Sequence, residues 1–315
     1  MKIQSLMLDM GNSELNVVTG AFSYTGKYIT QRLLSMGEEV RTLTGRPDRE
    51  NPFGRRVRAF PFNFDRPGEL TDSLRGAKTL YNTYWVRYPR GHVSFDKAVE
   101  NSKKLIAAAE AAGIRRIVYI SITNPSEDSQ FPYFRGKALV EKTIIQSKLS
   151  YAIIRPTVIF GPEGILINNI AWLLRKSPIF AIPGSGDYQI QPVFVEDVAE
   201  IAFRAGQQDD NAILDAVGPE TFTFDQLVRM IAGQINSRAK IVHVRPSLAL
   251  VLAKLIGCGL RDVVITRDEI DGLMSNLLIS ETEATTPTLF SEWLNLNADR
   301  IGRRYICGLE RRYRD

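Results

Sequence analysis

VVTGAFSYTGKYI, Val17 to Ile29, is the stretch that decides the fold. A short apolar run breaks at Gly20, and the chain then takes up helical spacing, with Ile29, Leu33 and Leu34 on one face and Gly37 as a stop. Gly20 and Gly26 match the outer glycines of a G-x-x-G-x-x-G turn, with Ser23 in the central place. The first glycine permits the tight turn, and the last lets the helix lie close to the strand. A helix starting here offers free N–H groups and the positive end of its dipole to a diphosphate. Gly20, Phe22, Ser23, Tyr24, Thr25 and Gly26 are therefore expected to form a dinucleotide-binding turn. The alternative is a structural strand–helix turn with no ligand.

The flanking sequence repeats the strand–helix alternation. EEVRTLT, VRAFPF and KTLYN read as strands, FDKAVENSKKLIAAAEAAG as a long helix ending at Gly113, and RRIVYIS and SYAIIRP as buried strands. Strands separated by helices of this length imply right-handed crossovers and an α/β, Rossmann-type, doubly wound parallel sheet. Ligands in such sheets sit beyond the carboxyl ends of the strands. That rule gathers Gly20, Asn82 with Thr83, Ser121, and Pro156 with Thr157 and Val158 at one crevice. The expected organisation is a dinucleotide-binding domain over 14–160, its sheet completed by 188–217. Segments 161–187 and 218–315 form a smaller, mainly helical C-terminal lobe on the substrate side. Capping-box spacings at Thr223/Gln226 and Thr266/Glu269 mark two of its helices.

The second strand ends in RTLTGRPDR, with Thr44, Gly45 and Arg46 at its edge and no carboxylate before Asp48. A carboxylate there would accept from the ribose 2′-hydroxyl of NAD, whereas an arginine pairs with a 2′-phosphate. The expected cofactor is therefore NADP(H) rather than NAD(H), with Arg46 on the phosphate and Asp65 near the adenine edge.

Composition narrows the remaining possibilities. The 315 residues are 44% hydrophobic and 24% charged, enough for a large packed core. The formal charge of +5 is spread along the chain, apart from a cluster at Arg300, Arg303, Arg304, Arg311, Arg312 and Arg314 that reads as a solvated basic tail or, in its place, a contact for an anionic partner or membrane surface. No nucleic-acid motif is present. Two distant cysteines and two histidines give neither a disulfide framework nor a metal-ligand spacing, so no metal is expected. MKIQSLMLDMGNSE does not read as a signal peptide, and SLALVLAKLIGCGL (Ser247–Leu260) is too short for a membrane span. That apolar segment reads as a buried or interfacial helix, and the expected compartment is the cytoplasm.

In PYFRGKALVEK (Pro132–Lys142), Tyr133 and Lys137 stand one helical turn apart, on one face, at the start of the helix after the fifth strand. They are either a proton-transfer pair or the opening of an ordinary amphipathic helix. TGAFSYTG, AAEAAGIRRIVYISI, YFRGK, AIIRPTVIFGP, QPVFVEDVAE and LDAVGPETFTFDQLV, in that order over Leu15–Ile235, resemble the short-chain dehydrogenase/reductase superfamily in its extended and atypical branches. The chain is similar to NAD(P)H-binding relatives of the NADPH-holding accessory subunit of respiratory complex I, and to epimerase/dehydratase-like proteins.

The resemblance implies that Tyr133 is the general acid/base. Lys137 would hold the nicotinamide ribose and ease ionisation of a phenol whose free pKa is about 10. It also implies that Ser121, or in its place Thr123, polarises the substrate oxygen, and that Pro156, Thr157 and Val158 line the nicotinamide. YNTYWVRYPRG departs from the family's small-residue stretch after the fourth strand, bringing Tyr84, Trp85 and Arg87 to the substrate side. They form either a pocket for an aromatic or anionic ligand or aromatic packing between the lobes. Two functions follow: an NADP(H)-dependent oxidoreductase or epimerase-like enzyme acting on a small molecule, or a noncatalytic cofactor-holding protein. A homodimer fits either one.

Overall fold

A computed structural model describes residues 13–309. Most of the opening segment read for a signal, and Arg311, Arg312 and Arg314 of the basic cluster, lie outside the described residues. The first half runs β1 (Leu15–Thr19), α1 (Tyr24–Ser35), β2 (Glu39–Thr44), β3 (Val57–Pro61), α2 (Pro67–Leu74), β4 (Thr79–Asn82), α3 (Phe95–Ala112), β5 (Arg116–Ile120), α4 (Pro132–Ile145) and β6 (Ser150–Pro156). The chain continues through β7 (Val158–Phe160), α5 (Ile165–Lys176), β8 (Ile179–Pro183), β9 (Gln189–Ile190), β10 (Pro192–Phe194), α6 (Val195–Gly206) and β11 (Ala212–Ala216). It ends with β12 (Phe222–Thr223), α7 (Phe224–Gln234), β13 (Lys240–Val244), α8 (Pro246–Leu260), α9 (Arg267–Met274) and α10 (Phe290–Asn297).

The central sheet has seven strands in the order β11-β6-β5-β4-β1-β2-β3, and every pairing in it is parallel. This is a Rossmann-like α/β fold. The order reverses between β1 and β4, which places the crevice at the ends of those two strands. One face packs against α1 and α6 through Ile29, Leu33, Val198 and Ala202. The other packs against α2, α3 and α4 through Leu70, Leu105, Val140 and Ile144.

β5 shows how the pleat aims side chains. Val118 and Ile120 belong to the α1/α6 core, whereas Ile117 and Tyr119 belong to the other. The two-residue period then turns Ser121 toward α4. The C-terminal lobe has its own core around Phe160, Tyr188, Phe224, Phe290 and Trp293. α7 and α9 each begin with the capping box expected at Thr223/Gln226 and Thr266/Glu269.

Arg116, fully buried at 0% exposure, fastens the sheet to α6. It donates to the Ala205 carbonyl at 2.7 Å, to the Asp210 carbonyl at 3.0 Å and to Ser150 Oγ. Burial, and then the neighbouring Arg115, lower its pKa from the ordinary guanidinium value, yet a guanidinium stays charged. Arg116→Ala strands those acceptors and is expected to cost about 3 kcal/mol, read as a lower urea midpoint at unchanged slope. An unchanged midpoint would contradict this role.

Ser247–Leu260, read as buried or interfacial, forms α8, and only Ala249 and Gly257 of that helix are buried. It is not a core helix.

Candidate cofactor and active site

The turn after β1 is built as the glycine spacing requires. Gly20 has φ +67°, a left-handed conformation open to glycine. A Cβ at position 26 would collide with the Gly20 carbonyl oxygen, so only glycine lets α1 lie this close to β1. Ser23 occupies the N-cap of α1 but makes no side-chain cap; its Oγ donates to the Gly20 carbonyl at 2.6 Å instead. The first turn of α1 thus keeps its N-terminal dipole uncapped by a side chain, as a diphosphate needs. Phe22 packs its ring against the α1/α6 core. Tyr24 turns toward the β7–α5 loop, its hydroxyl beside Gly161 and Gly164. Phe22 and Tyr24 therefore present backbone, rather than side chain, to the crevice.

The ends of β1 and β4 are stitched together. Asn82 Oδ1 accepts from Thr19 Oγ1 at 3.2 Å and from the Tyr84 amide at 2.9 Å. The Thr83 amide donates to Thr19 Oγ1 at 2.7 Å, and Thr83 Oγ1 donates to the Thr19 carbonyl at 2.6 Å. Against this rigid edge, Asn82 Nδ2, Ser121 Oγ and Thr157 Oγ1 are buried with no hydrogen-bond partner among the described residues. They come from the ends of the adjacent strands β4, β5 and β6. Buried polar atoms left unpaired in this way each cost about 1–3 kcal/mol, and a polar ligand in the crevice removes that cost. Thr123, the alternative to Ser121, is already engaged, donating to the Ile279 carbonyl at 3.1 Å. The glycine cradle, the uncapped helix and these groups fit a dinucleotide.

Lys137 is 3% exposed and donates to the Ile120 carbonyl at 2.8 Å. Its ammonium lies 4.9 Å from the Trp85 ring centroid and 4.8 Å from that of Tyr119. The two π-faces offset part of the cost of burying the charge. Gly136 makes room for the indole, since a Cβ there would meet Trp85 Cη2 at 2.8 Å. Tyr133 sets its ring edge-on to Trp85 and Phe95, with centroids 5.9 and 5.8 Å apart. Tyr119 lies beneath the lysine. Burial, then Tyr133 and Glu141, hold its phenol well above the usual range, so it stays neutral. Glu141 forks Arg155 of β6 at 3.1 and 2.5 Å, fixing α4 against the sheet.

The other expected residues follow the ends of β2, β3 and β4. Tyr84 accepts from Asn101 Nδ2 at 2.9 Å and packs on Phe62 and Phe64 at 5.0 and 5.1 Å, toward β3. Arg87 donates to Glu269 Oε1 at 2.6 Å and to the Val264 carbonyl at 3.1 Å, tying the β4–α3 loop to the C-terminal lobe. Burial works to lower the Arg87 pKa, but the Glu269 charge and the hydrogen bond to it together outweigh burial and raise it. That guanidinium is committed within the chain. Arg46 follows β2, its amide donating to Thr44 Oγ1 at 3.2 Å. Asp65 is 93% exposed and lies 3.7 Å from Lys104.

Trp85 as the cover of Lys137, Tyr119 as its floor and Glu269 as the partner of Arg87 were not foreseen. Gly136, next to Lys137, was the one local signal for the first of these. Among the described residues no His, Cys, Asp and Glu are grouped to hold a metal ion. No helix among them is long and apolar enough to cross a membrane.

Residues 20–165 match a family described as NAD(P)H-binding. That match covers the strand–turn–helix region and the site built on it. The chain is 26% identical over 292 residues to NADH dehydrogenase (ubiquinone) 1 alpha subcomplex subunit 9, mitochondrial, of Arabidopsis thaliana, covering 84% of this chain and 70% of the relative. A nucleoside-diphosphate-sugar epimerase from Staphylococcus aureus superposes with TM-score 0.71 at 13% identity, covering 89% of this chain and 99% of the other. Triphenylmethane reductase of Citrobacter sp. superposes with TM-score 0.71 at 16% identity, covering 90% and 99%. These two likenesses are of fold.

Proposed function

We propose that this chain is an NADP(H)-dependent oxidoreductase or epimerase-like enzyme acting on a carbonyl or hydroxyl of a small molecule. The observation that carries the reading is the set of unpaired, buried Asn82 Nδ2, Ser121 Oγ and Thr157 Oγ1 at adjacent strand ends beside Lys137. Groups placed that way await a polar ligand.

The cofactor, when bound, supplies or accepts the hydride. Ser121 donates to the substrate oxygen, and the Tyr133 phenol gives that oxygen a proton or takes one from it. Lys137, one turn along α4, supplies positive charge beside the phenol and a donor to the ribose. Trp85 and Phe95 hold the Tyr133 ring and exclude water. In this reading Gly20 to Gly26 hold the diphosphate, Pro156 and Val158 flank the nicotinamide, and Asp65 meets the adenine edge. In this reading residues 14–160, with the sheet completed by 188–217, form the cofactor domain. The remainder forms the substrate lobe, the chain works in the cytoplasm, and it pairs as a homodimer. NADPH oxidation against a panel of aldehydes and ketones tests it; turnover on at least one is expected.

Arg46 carries the preference for NADP(H). Arg46→Ala is expected to weaken NADPH by about tenfold while leaving NADH within about twofold, measured by fluorescence titration. Equal changes in both would remove the 2′-phosphate assignment.

A second reading rests on Trp85, whose ring covers Lys137, and on similarity to a relative named as an NADH dehydrogenase subunit. In it the chain holds NADPH without turning it over, for stability, sensing or assembly. NADPH binding with no turnover on any carbonyl favours it.

A further inference from the structure

α8 is turned inside out. Its buried Ala249 and Gly257, with half-buried Ala253 between them, recur at every fourth position and form a face of small residues. That face lies toward β8 and the loop after the helix, where a Cβ at position 257 would meet the Asp262 carbonyl oxygen at 2.5 Å. The large side chains point the other way. Leu248, Val251, Leu252, Leu255 and Ile256 recur at i, i+3, i+4, i+7 and i+8, and are 48, 51, 36, 65 and 36% exposed. An amphipathic helix normally buries such a stripe.

The charges around the stripe have one sign. Segment 246–260 carries no Asp or Glu, exposed Lys254 stands at the stripe's flank, and exposed Arg245 and Arg261 bound the helix. β13 passes into α8 through Arg245 alone, and α8 packs on β8. On β8, Ile179, 52% exposed, pairs in register with exposed Lys240 of β13. Asp262, just past the helix, is buried and its carboxylate accepts from the Tyr305 hydroxyl and the Gly308 and Leu309 amides, while at the start of the helix Asp268 and Asp271 share a hollow with Pro246, and Arg267 reaches Asp271 at 3.4 Å.

We infer that α8 is an interfacial helix that lays its Leu248–Ile256 stripe into an anionic lipid surface, with Lys254, Arg261 and Lys240 against the headgroups. A convex apolar stripe flanked by long cationic side chains is what an interface of acyl chains below charged headgroups accommodates. A second copy of the chain fits less well. Two-fold packing of the stripe would set Arg245, Lys254 and Arg261 among cations of their own kind. At fifteen residues the helix is about 22 Å long, enough to lie in the interface and too short to span it.

Vesicle flotation of the full chain tests this, using phosphatidylcholine vesicles with and without phosphatidylglycerol. The chain is expected to float with the anionic vesicles, and to float less with phosphatidylcholine alone or in high salt. Leu252→Ser combined with Leu255→Ser should weaken partitioning at least about tenfold, the loss expected when two leucine side chains leave the interface. Lys254→Glu should weaken binding to the anionic vesicles only. Both changes are at exposed positions, and an unchanged NADPH titration confirms that each variant is folded. The inference is overturned if the chain ignores both vesicle types, or if the double variant floats like the parent. A solution dimer that fails to float and that Leu255→Ser dissociates overturns it in favour of a contact between copies.

Discussion

Tyr133→Phe is expected to lower NADPH-dependent turnover by about 10²- to 10⁴-fold, the usual range for loss of a general acid/base, while NADPH affinity stays within about twofold. The change removes one oxygen atom and keeps the ring, so the edge-on contacts with Trp85 and Phe95 survive. Tyr119 cannot take over, because burial holds its phenol far above the usual range and its ring serves as the floor of Lys137. Stopped turnover with intact cofactor binding is the signature of a catalytic phenol. Turnover that persists in the variant removes Tyr133 from the mechanism. Ser121→Ala should show the same separation at smaller magnitude, since it removes one donor to the substrate oxygen.

The second large effect is on binding. Gly26→Ala places a methyl group against the Gly20 carbonyl oxygen, and backbone cannot rotate aside as a side chain can. Either α1 moves away from β1 or the turn opens, and both displace the amides expected to face the diphosphate. NADPH affinity is expected to fall by at least about thirtyfold, with a stability loss of about 1–3 kcal/mol from overpacking. Circular dichroism distinguishes a folded variant from an unfolded one. A folded Gly26→Ala protein with parental affinity would mean that the diphosphate does not sit at this turn.

The parts of this protein written in local spacing could be read from the sequence. Alternating strands and helices announced the parallel sheet, because a parallel connection needs a crossover of helical length. Gly20 and Gly26 announced the close approach of α1 to β1, and the Thr223/Gln226 and Thr266/Glu269 pairs announced two helix starts. What depends on distant contacts could not be read.

Trp85 lies on Lys137, 52 positions further along the chain, as 137 minus 85 gives, and no periodicity links a loop to a helix in that way. Arg87 offered a free cation for a ligand, yet its ion pair with Glu269 spans 182 positions. The apolar α8 segment shows why burial is harder to read than helicity. The stripe sets the period, but the small face of Ala249, Ala253 and Gly257 is the one that fits the lobe. Competition between the two faces is settled by shape, which the pattern does not encode.

The central claim is that an NADP(H) molecule lies across the ends of β1, β4, β5 and β6 with its diphosphate at Gly20–Gly26. Titration calorimetry of the full chain with NADPH, NADP⁺, NADH and NAD⁺, repeated on Gly26→Ala, measures this most directly. The account predicts saturable heat with NADPH, weaker binding of NADH, and loss of both in the variant. No heat with any of the four, or equal heat from parent and variant, would contradict it.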